Sequence, residues 1–240
     1  QQALARGTAQ LPLADGRFLL HFQEIAPLQE HAPAGVHLEL LIRLRDEDGR
    51  MVPPGDFIPA AERFGLMPQL DRWVVETAFA NFTRLHPSGE PPRLCAINLS
   101  ALTVDDDGFA DFVIECLQRH GVPADRICFE ITETAAVARL SRVIALMNRL
   151  RSVGCRFSLD DFGAGMASFA YLKNLPVDYI KIAGSFIRDL GKDPLSSLIV
   201  RAVTDIGHQL GLLVVAEWVA DEAARDILRD LGVDYAQGYL

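Results

Sequence analysis

Short apolar runs alternate with amphipathic segments along most of the chain, and this alternation limits the possible folds more than any other feature. Six runs are predicted as buried strands, at residues 38–43, 94–98, 127–131, 157–161, 179–182 and 212–217. Apolar residues recur every three or four positions in segments such as 109–118, 137–153 and 195–210, which is typical of helices that pack on a sheet. Strands that alternate with helices form parallel sheets, and a chain of 240 residues is about the size of one (β/α)8 barrel. We therefore expect a single α/β barrel domain.

A first strand, two early helices and one glycine-bearing loop complete this outline. Residues 18–25 are predicted as the first strand, and the composition indicates a loop at 46–55, then helices from near Phe57 and over 70–82. Residues 160–168, with the sequence D-D-F-G-A-G-M-A-S, are predicted as a loop directly after a strand. Such a position suits a lid or a substrate-binding loop.

The bulk composition argues against several classes of protein. Half of the residues are hydrophobic, which is ordinary for a domain with a sizeable core, and no apolar run reaches the roughly 18 residues that a membrane span needs. The net charge of −9 argues against binding to a nucleic-acid polymer, which would require a basic surface. A small anionic substrate is compatible with this charge, because clustered carboxylates hold divalent cations and the cations reverse the local sign.

The cysteines and the N-terminus bear on where the protein resides. Cys95, Cys116, Cys128 and Cys155 show no C-x-x-C spacing, and we interpret them as packed thiols of a reducing compartment. The N-terminus lacks a signal-peptide pattern, so we expect a cytoplasmic location. Because the chain opens at Gln1 instead of Met, we also expect it to be a piece of a larger protein.

Polar side chains occupy the ends of the predicted strands. They are Glu39, Asn98, Glu130, Asp160, Asp161, Lys181 and Glu217. The carboxyl ends of barrel strands converge on one face, so we expect these side chains to point at one another. Carboxylate and amide oxygens are the ligands that Mg²⁺ and Mn²⁺ prefer, whereas zinc sites favour His and Cys. The adjacent carboxylates of Asp160 and Asp161 suit a pair of ions that polarise a phosphoryl group, with Lys181 orienting a water molecule or balancing charge.

Each of these residues also has a purely structural interpretation. Glu39 would be satisfied by an ion pair with Arg43 or Arg45, and Asn98 would cap the helix that follows it. The two aspartates would cap the turn after their strand, and the lysine would extend to the surface along its aliphatic chain. A lysine among acids at barrel strand ends also suits proton abstraction of the enolase type. The residues taken alone therefore predict a metal-dependent barrel enzyme and leave its reaction open.

Eight motifs, in one order along the chain, resemble those of the EAL domain of bacterial cyclic di-GMP signalling proteins. They are E-L-L-I-R at 39–43, D-F-I-P-A-A-E at 56–62, I-N-L-S at 97–100, F-E-I-T-E at 129–133, D-D-F-G-A-G at 160–165, L-P-V-D-Y-I-K-I at 175–182, A-E-W-V at 216–219 and Q-G-Y-L at 237–240. The resemblance implies a modified TIM barrel whose first strand, at residues 18–25, runs opposite to the rest. It also implies hydrolysis of one phosphodiester bond of cyclic di-GMP, with Mg²⁺ or Mn²⁺, to give linear pGpG.

The resemblance further implies roles for individual residues. The positions that match metal ligands are Glu39, Asn98, Glu130, Asp160, Asp161 and Glu217. Those that match catalytic residues are Lys181 and Glu217, and those that match substrate-binding residues are Arg43, Leu41, Gln23 and Gln237. Glu133 matches the acid that steadies the loop after Asp161. Two ions are expected in the active form, and Ca²⁺ is expected to inhibit because it is larger and holds a tight geometry less well.

Expected partners follow from the same resemblance. They are cyclic di-GMP, a second copy of the chain in a homodimer, and covalently linked sensory or GGDEF-type domains outside this chain, with no nucleic-acid polymer. Residues 1–240 would then be a single EAL-type barrel domain excised from a multidomain signalling protein. That protein would be cytoplasmic, or this domain would be the cytoplasmic part of a membrane-anchored regulator.

Three departures from the family pattern bear on activity. Ala183 stands where the family has the acid of K-I-D, and Ala220 stands where it has the last acid of A-E-G-V-E. The loop after the two aspartates reads G-A-G-M-A-S instead of the commoner G-T-G-Y-S-S. Because the metal ligands and Lys181 are retained, we expect an active phosphodiesterase. Because nearby acids are lost, the alternative is a weak or inactive domain that acts as a cyclic di-GMP receptor.

Overall fold

The structure is a computed structural model that describes residues 16–164 and 169–238, of which 169 and 170 are described by their backbone only. Its strands are β1 (Phe18–Pro27), β2 (His37–Arg45), β3 (Met51–Val52), β4 (Leu94–Asn98), β5 (Ile127–Thr132), β6 (Arg156–Phe162), β7 (Tyr179–Ile182), β8 (Leu213–Val219) and β9 (Tyr235–Gly238). Its helices are α1 (Pro54–Arg63), α2 (Met67–Ala80), α3 (Ala101–Val104), α4 (Phe109–His120), α5 (Glu133–Ala138), α6 (Leu140–Arg151), α7 (Phe169–Leu172), α8 (Gly184–Arg188), α9 (Pro194–Gln209) and α10 (Glu222–Asp230). Within these described ranges, no helix combines the length and the apolar character needed to cross a bilayer.

The strands close into a barrel, with β3 added as a short ribbon on β2. The order around the sheet is β1-β9-β8-β7-β6-β5-β4-β2, and β1 completes the circle by pairing with β2. β1 is antiparallel to both of its neighbours, with Gln23 opposite Glu39 and Ile25 opposite Gln237. The remaining barrel pairs, from β2 to β4 and on to β9, are parallel. The predicted modified TIM barrel with an antiparallel first strand is therefore confirmed.

Two separate packing layers hold the barrel together. Side chains on the outer faces of the strands pack against the helices in the main hydrophobic core. Inside the barrel, a smaller cluster fills the amino-terminal half, and it consists of Ile25, Ala32, Leu94, Ala96, Cys128, Tyr179, Val215 and Tyr235. Because side chains of a strand alternate between its two faces, Lys181 follows Tyr179 on the interior face, closer to the carboxyl end of β7. The apolar cluster therefore forms the floor beneath the polar strand ends.

Two strands, β6 and β8, contain matching irregularities at their carboxyl ends. The register of β6 against β7 shifts between Leu159 and Phe162, and that of β8 against β9 shifts between Ala216 and Val219. Within these bulges Asp161 has φ 54° and Trp218 has φ 58°, the left-handed region that side chains other than glycine seldom adopt. Each of these residues directly follows an acid of the predicted site. The bulges therefore present two consecutive side chains at the same rim.

Several element boundaries differ from the sequence-based expectations. The helix predicted over 137–153 is wrong in one respect, because the chain breaks at Arg139, whose Nε donates to Asp105 Oδ2 at 2.7 Å and whose φ is −134°. Helix α1 begins at Pro54, inside the segment predicted as a loop, since proline suits the first turn of a helix. The segment of β9 was expected only as the motif Q-G-Y-L at 237–240. The last two residues of that motif, 239 and 240, lie outside the described part of the chain, as do 165–168 of the predicted loop.

All four cysteines are buried and free of disulfides. Burial raises the pKa of the Cys155 thiol to about 12 and that of Cys116 also to about 12, the latter with help from its hydrogen bond to Glu76. Thiols with such pKa values stay protonated at neutral pH and are poor nucleophiles. The interpretation of the cysteines as packed thiols is confirmed.

Candidate active site

Lys181 lies at the centre of the carboxyl face of the barrel, surrounded by acids from four strands. Its Nζ is 3.0 Å from Glu39 Oε2, 2.9 Å from Glu130 Oε2 and 2.9 Å from Glu217 Oε1, and it is 3.7 Å from Asp160 Oδ1. Only 1% of its side chain is exposed, so the alternative of a surface lysine is excluded. The convergence expected from the strand ends therefore occurs, with the lysine as the common contact.

The ammonium group is outnumbered four to one in this cluster, and the pKa values reflect the excess of negative charge. Burial would lower the pKa of Lys181, but Glu130, Glu39, Asp160 and Glu217 hold it well above its ordinary value. Burial raises the pKa of Glu130 well above its usual range and raises that of Glu217 to about 7. Glu217 is therefore partly protonated near neutral pH. Because a divalent cation exchanges with such protons when it binds, the cluster has the electrostatics of a cation site.

Glu39 is the carboxylate that remains charged, because amides and the lysine support it. Burial alone would raise its pKa, but Lys181 and hydrogen bonds from Gln237 and Asn98 hold that pKa below its ordinary value. Asn98 Nδ2 donates to Glu39 Oε1 at 2.6 Å, and Gln237 Nε2 donates to Glu39 Oε2 at 2.6 Å. An ion pair of Glu39 with a strand arginine is therefore not what satisfies it. Asn98 is also not the cap of the next helix, since Ser100 caps α3.

Gln237 and Gln23 extend this network to the antiparallel strand. Gln237 Nε2 also donates to Gln23 Oε1 at 3.1 Å, and Gln23 Nε2 donates to the carbonyl of Gly238 at 2.9 Å. Gln237 Oε1 is buried and has no hydrogen-bond partner among the described residues. An orphaned amide oxygen beside a carboxylate cluster is a group that a cation, a water molecule or a ligand donor would satisfy.

Three of the predicted metal ligands lie within the reach of one ion. One carboxylate oxygen from each of Asp160, Asp161 and Glu217 lies within 4.8 Å of the other two. The bulges in β6 and β8 explain this proximity, because they turn both strand ends toward the space above Lys181. Glu39 and Glu130 reach this group through their shared contact with Lys181. A donor set made of oxygens alone fits a hard divalent cation such as Mg²⁺ or Mn²⁺.

Glu133 ties the segment after the two aspartates to its neighbours. Its Oε2 accepts the backbone N–H of Gly163 at 2.9 Å, and its Oε1 accepts the hydroxyl of Tyr171 at 2.5 Å. Glu133 is buried in the first turn of α5, which Thr132 caps by accepting the N–H of Ala135. The carboxylate thus joins the chain before and after residues 165–168. Tyr171 was not predicted, and its separation of 38 residues from Glu133 leaves no local signal.

Two predicted substrate-binding residues lie further along β2 than Glu39, toward the carboxyl end of that strand. Leu41 and Arg43 follow Glu39 at alternate positions of β2 and are partly buried. Arg43 Nη1 donates to the carbonyl of Ile42 at 2.9 Å, and among the described residues no carboxylate lies within ion-pair distance of this guanidinium. Arg43 is therefore a cation at the mouth of the site with donors left for an anion.

Asp71, in α2, supports the site and was missed by the sequence analysis. Its Oδ2 accepts the N–H of Ser100 at 2.9 Å and the hydroxyl of Thr103 at 2.6 Å, and so it anchors the segment that leaves Asn98. Burial raises the pKa of Asp71 to about 6. A signal was present, because Asp71 is a single acid next to Leu70 on the apolar face of an amphipathic helix.

Comparisons with known proteins agree with this geometry. A family model described as "EAL domain" matches residues 5–240. The cyclic di-GMP phosphodiesterase PdeB of Shewanella oneidensis is 36% identical over 227 residues, which are 95% of this chain and 26% of PdeB. PdeF of Escherichia coli, also named a cyclic di-GMP phosphodiesterase, is 35% identical over 96% of this chain and 30% of its own length. The chain therefore spans about a quarter to a third of the length of these curated relatives.

Solved structures show the same similarity. The PaMucR phosphodiesterase in complex with c-di-GMP is similar with a TM-score of 0.84 and 32% identity, over 94% of this chain and 91% of that one. The FimX EAL domain from Pseudomonas aeruginosa bound to c-di-GMP is similar with a TM-score of 0.87 and 27% identity, over 95% and 90% of the two chains. With its barrel, its ring of strand-end acids and these matches, the chain belongs to the EAL domain family.

Proposed function

We propose that this domain hydrolyses cyclic di-GMP to linear pGpG with Mg²⁺ or Mn²⁺. The observation that carries the proposal is the buried Lys181, held among Glu39, Glu130, Asp160 and Glu217 at the carboxyl ends of the barrel strands. Membership in the EAL family, which includes relatives named cyclic di-GMP phosphodiesterases, supports the choice of substrate. Two ions, held between Asp160, Asp161, Glu217 and the Glu39, Asn98, Glu130 side of the cluster, complete the proposed active form.

The proposed reaction is the attack of water on one bridging phosphate. The new bond joins the water oxygen to phosphorus, and the bond to the 3′ oxygen breaks, which leaves a 5′ phosphate and a free 3′ hydroxyl on the linear product. A divalent cation, when bound, supplies Lewis-acid polarisation of the phosphoryl oxygen and lowers the pKa of an attacking water. The chain's own groups must position the phosphate, accept the proton of the water and balance the developing charge.

Individual residues suit these tasks. Glu217 contacts Lys181 and lies next to Asp160 and Asp161, so it is the proposed residue that, with the ions, directs the proton away from the attacking water. Lys181 stays charged and stabilises negative charge that develops on the phosphate, or orients the water. Arg43 offers a guanidinium fork to a phosphate oxygen. Gln23, Gln237 and Leu41 contact the substrate at the rim, and Glu133 fixes the segment after Asp161.

A direct assay tests the proposal. The purified domain is incubated with cyclic di-GMP and either Mg²⁺ or Mn²⁺, and the products are separated by chromatography. We expect pGpG with either ion, none after complete chelation, and inhibition by added Ca²⁺. Full activity in the presence of excess chelator would refute the metal-dependent reaction.

A second candidate function is a receptor that binds cyclic di-GMP with little or no turnover. The observation that favours it is the pair of missing acids. Ala183 is buried and is the N-cap residue of α8, where it provides no side-chain hydrogen bond, whereas Ala220 is exposed beyond the end of β8. The same assay separates the two candidates, since a receptor would show saturable binding by calorimetry while pGpG stayed absent.

The setting of the domain is also a proposal. Relatives such as the bifunctional diguanylate cyclase/cyclic di-GMP phosphodiesterase MucR of Pseudomonas aeruginosa are much longer than this chain, and the match covers 32% of the length of MucR. We propose that residues 1–240 act as one EAL-type barrel domain joined to sensory or GGDEF-type domains. The domain would work as a homodimer in the cytoplasm, on cyclic di-GMP and not on a nucleic-acid polymer. Sedimentation of the domain with and without cyclic di-GMP measures the oligomeric state.

A further inference from the structure

Trp218 occupies an unusual place next to the candidate active site. It directly follows Glu217 in the bulge of β8, and its φ of 58° lies in the left-handed region where glycine is favoured. Its side chain is large and apolar, and yet the residue is 52% exposed. A strained backbone and an exposed indole both disfavour this residue on stability grounds, and such outliers concentrate at functional sites.

The indole is held in place by α8, the short helix after β7. A Cβ atom built on Gly184 would lie 2.0 Å from Trp218 Cδ1, so only a glycine at the start of α8 permits the ring to lie there. At the other end of α8, the guanidinium carbon of Arg188 lies 5.2 Å from the centroid of the Trp218 ring. Such a cation–π contact orients the ring. The indole is therefore ordered by contacts at one side while about half of the residue remains open.

The matching bulges of β6 and β8 place this ring beside the candidate cation group. Asp160 and Asp161 in β6 correspond in position to Glu217 and Trp218 in β8. In each strand the first residue of the pair is half-buried, the second is exposed, and the residue that follows is buried. In β6 the exposed position supplies a carboxylate that lies within 4.8 Å of Asp160 and Glu217. In β8 the corresponding position supplies an aromatic surface. A phosphodiester held by the acids would thus have the indole at its side.

We propose that Trp218 stacks on one purine base of the bound cyclic dinucleotide and so contributes to substrate affinity, with Arg188 as the residue that positions the indole. This inference rests on the proposed function. A purine presents a flat π surface, and an aromatic side chain that is already ordered loses little conformational entropy when a base stacks on it. Arg188 also adds positive charge at the rim of a chain with a net charge of −9, where an anionic ligand must approach.

Binding and kinetics of three variants test the proposal. Affinity for cyclic di-GMP is measured by calorimetry in Ca²⁺, with the absence of pGpG checked after each titration. Trp218→Ala should raise the dissociation constant by about 5- to 150-fold, which is the fold-change that corresponds to the loss of a typical base–aromatic stacking contact. Trp218→Phe keeps an aromatic face and should stay within a few-fold of the unchanged domain. Trp73→Phe removes the other tryptophan, which packs against Phe18, and should leave the affinity unchanged.

Tryptophan fluorescence tests the stacking role with Trp218 still present, so its outcome does not depend on whether the Trp218 variants fold. The Trp73→Phe protein carries Trp218 as its single tryptophan, so its emission should be quenched when cyclic di-GMP saturates the site. In the assay with Mg²⁺, Trp218→Ala should raise KM far more than it lowers kcat. Unchanged emission at saturation, or an unchanged dissociation constant for Trp218→Ala, would overturn the stacking role while leaving the phosphodiesterase proposal intact. If the unsubstituted domain neither binds nor hydrolyses cyclic di-GMP, the proposed function itself fails.

Discussion

A single buried ammonium compensates four carboxyl groups in this barrel. Removing one partner of a buried charge cluster leaves the remaining charges unpaired, and this lowers the stability of the fold. The cluster is stable only while the carboxyl groups share the positive charge of the lysine. Under the proposed function, Lys181 therefore has two separable roles, one in holding the acids together and one in the reaction. A cation takes over part of the first role, because it supplies positive charge to the same oxygens.

This separation predicts the behaviour of Lys181→Ala. We expect its kcat for pGpG formation to fall at least about 100-fold, the usual effect of losing one group that stabilises a transition state. Its Mn²⁺ binding, measured by electron paramagnetic resonance, should be largely retained, because the carboxylates remain. Lys192→Ala, which changes an exposed lysine between α8 and α9, is the matched control and should have no effect. Near-normal turnover of Lys181→Ala would contradict the assigned role.

Arg43 is expected to affect substrate binding and not the metal site, since it lies on the rim and outside the acid cluster. Replacing it with Ala should weaken the binding of cyclic di-GMP by about 10- to 100-fold, because a hydrogen bond to a charged group contributes about 1.5–3 kcal/mol. Calorimetry in Ca²⁺ measures this directly. Arg50→Ala, an exposed arginine near Asp48, serves as the control. The substrate role of Arg43 fails if both variants bind as the unchanged domain does.

At the scale of elements, the sequence pattern predicted well what local periodicity controls. The strands predicted at 94–98 and 179–182 match β4 and β7 residue for residue, because buried parallel strands are short and apolar throughout. The break at Arg139 and the bulges of β6 and β8 arise from contacts with other parts of the chain, and no local pattern encodes them. The same holds for the candidate site. Residue types predicted that these acids lie near one another, but not that, among the described residues, Asp160, Asp161 and Glu217 are the three that share one ion's reach.

Asp71 illustrates how an element outside the barrel supports the site at a cost that depends on pH. In the unfolded chain its pKa is near the ordinary 3.8, and in the fold burial raises the pKa to about 6. Between these two values the unfolded chain loses the proton first, so the free energy of unfolding falls as pH rises through this window. Above pH 6 the full cost, about 3 kcal/mol, is present.

Asp71→Asn removes this cost while keeping an oxygen to accept both hydrogen bonds. The variant should therefore gain stability relative to the unchanged domain as pH rises from 5 to 8, by about 1.4 kcal/mol, because the rest of the cost is already present at pH 5. Urea unfolding at the two pH values measures the gain, and Asp48→Asn on an exposed turn is the control. A stability difference that is the same at pH 5 and pH 8 would show that Asp71 does not titrate as argued.

For the whole molecule, the acid cluster links stability, pH and cation binding. Burial raises the pKa of Glu217 from 4.5 to about 7, so the fold holds a proton near pH 6 that the unfolded chain has already lost. The free energy of unfolding without cation should therefore fall as pH rises from 6 to 8. Mg²⁺ replaces that proton, so its stabilising effect should grow over the same range.

Thermal melts with and without Mg²⁺ at pH 6 and pH 8 measure this linkage. At a concentration of about 100 times the dissociation constant, binding contributes about 2.7 kcal/mol, which corresponds to a rise in Tm of roughly 5–10 °C for a domain of this size. The rise should be larger at pH 8 than at pH 6, and Asp160→Asn should lose most of it. An equal rise in Tm at both pH values would show that cation binding does not displace protons from the buried carboxyl groups.

The antiparallel direction of β1 determines the side from which the chain enters the barrel. Phe18, at the start of β1, lies opposite Leu44 near the carboxyl end of β2, and Gly238, at the end of β9, lies opposite Val219 of β8. The start of β1 and the end of β9 therefore both lie at the rim that carries the candidate site, whereas a parallel first strand would begin on the far side. A displacement of Phe18 along β1 would reach Gln23, which is hydrogen-bonded to Gln237 of the candidate site, through five residues of strand backbone.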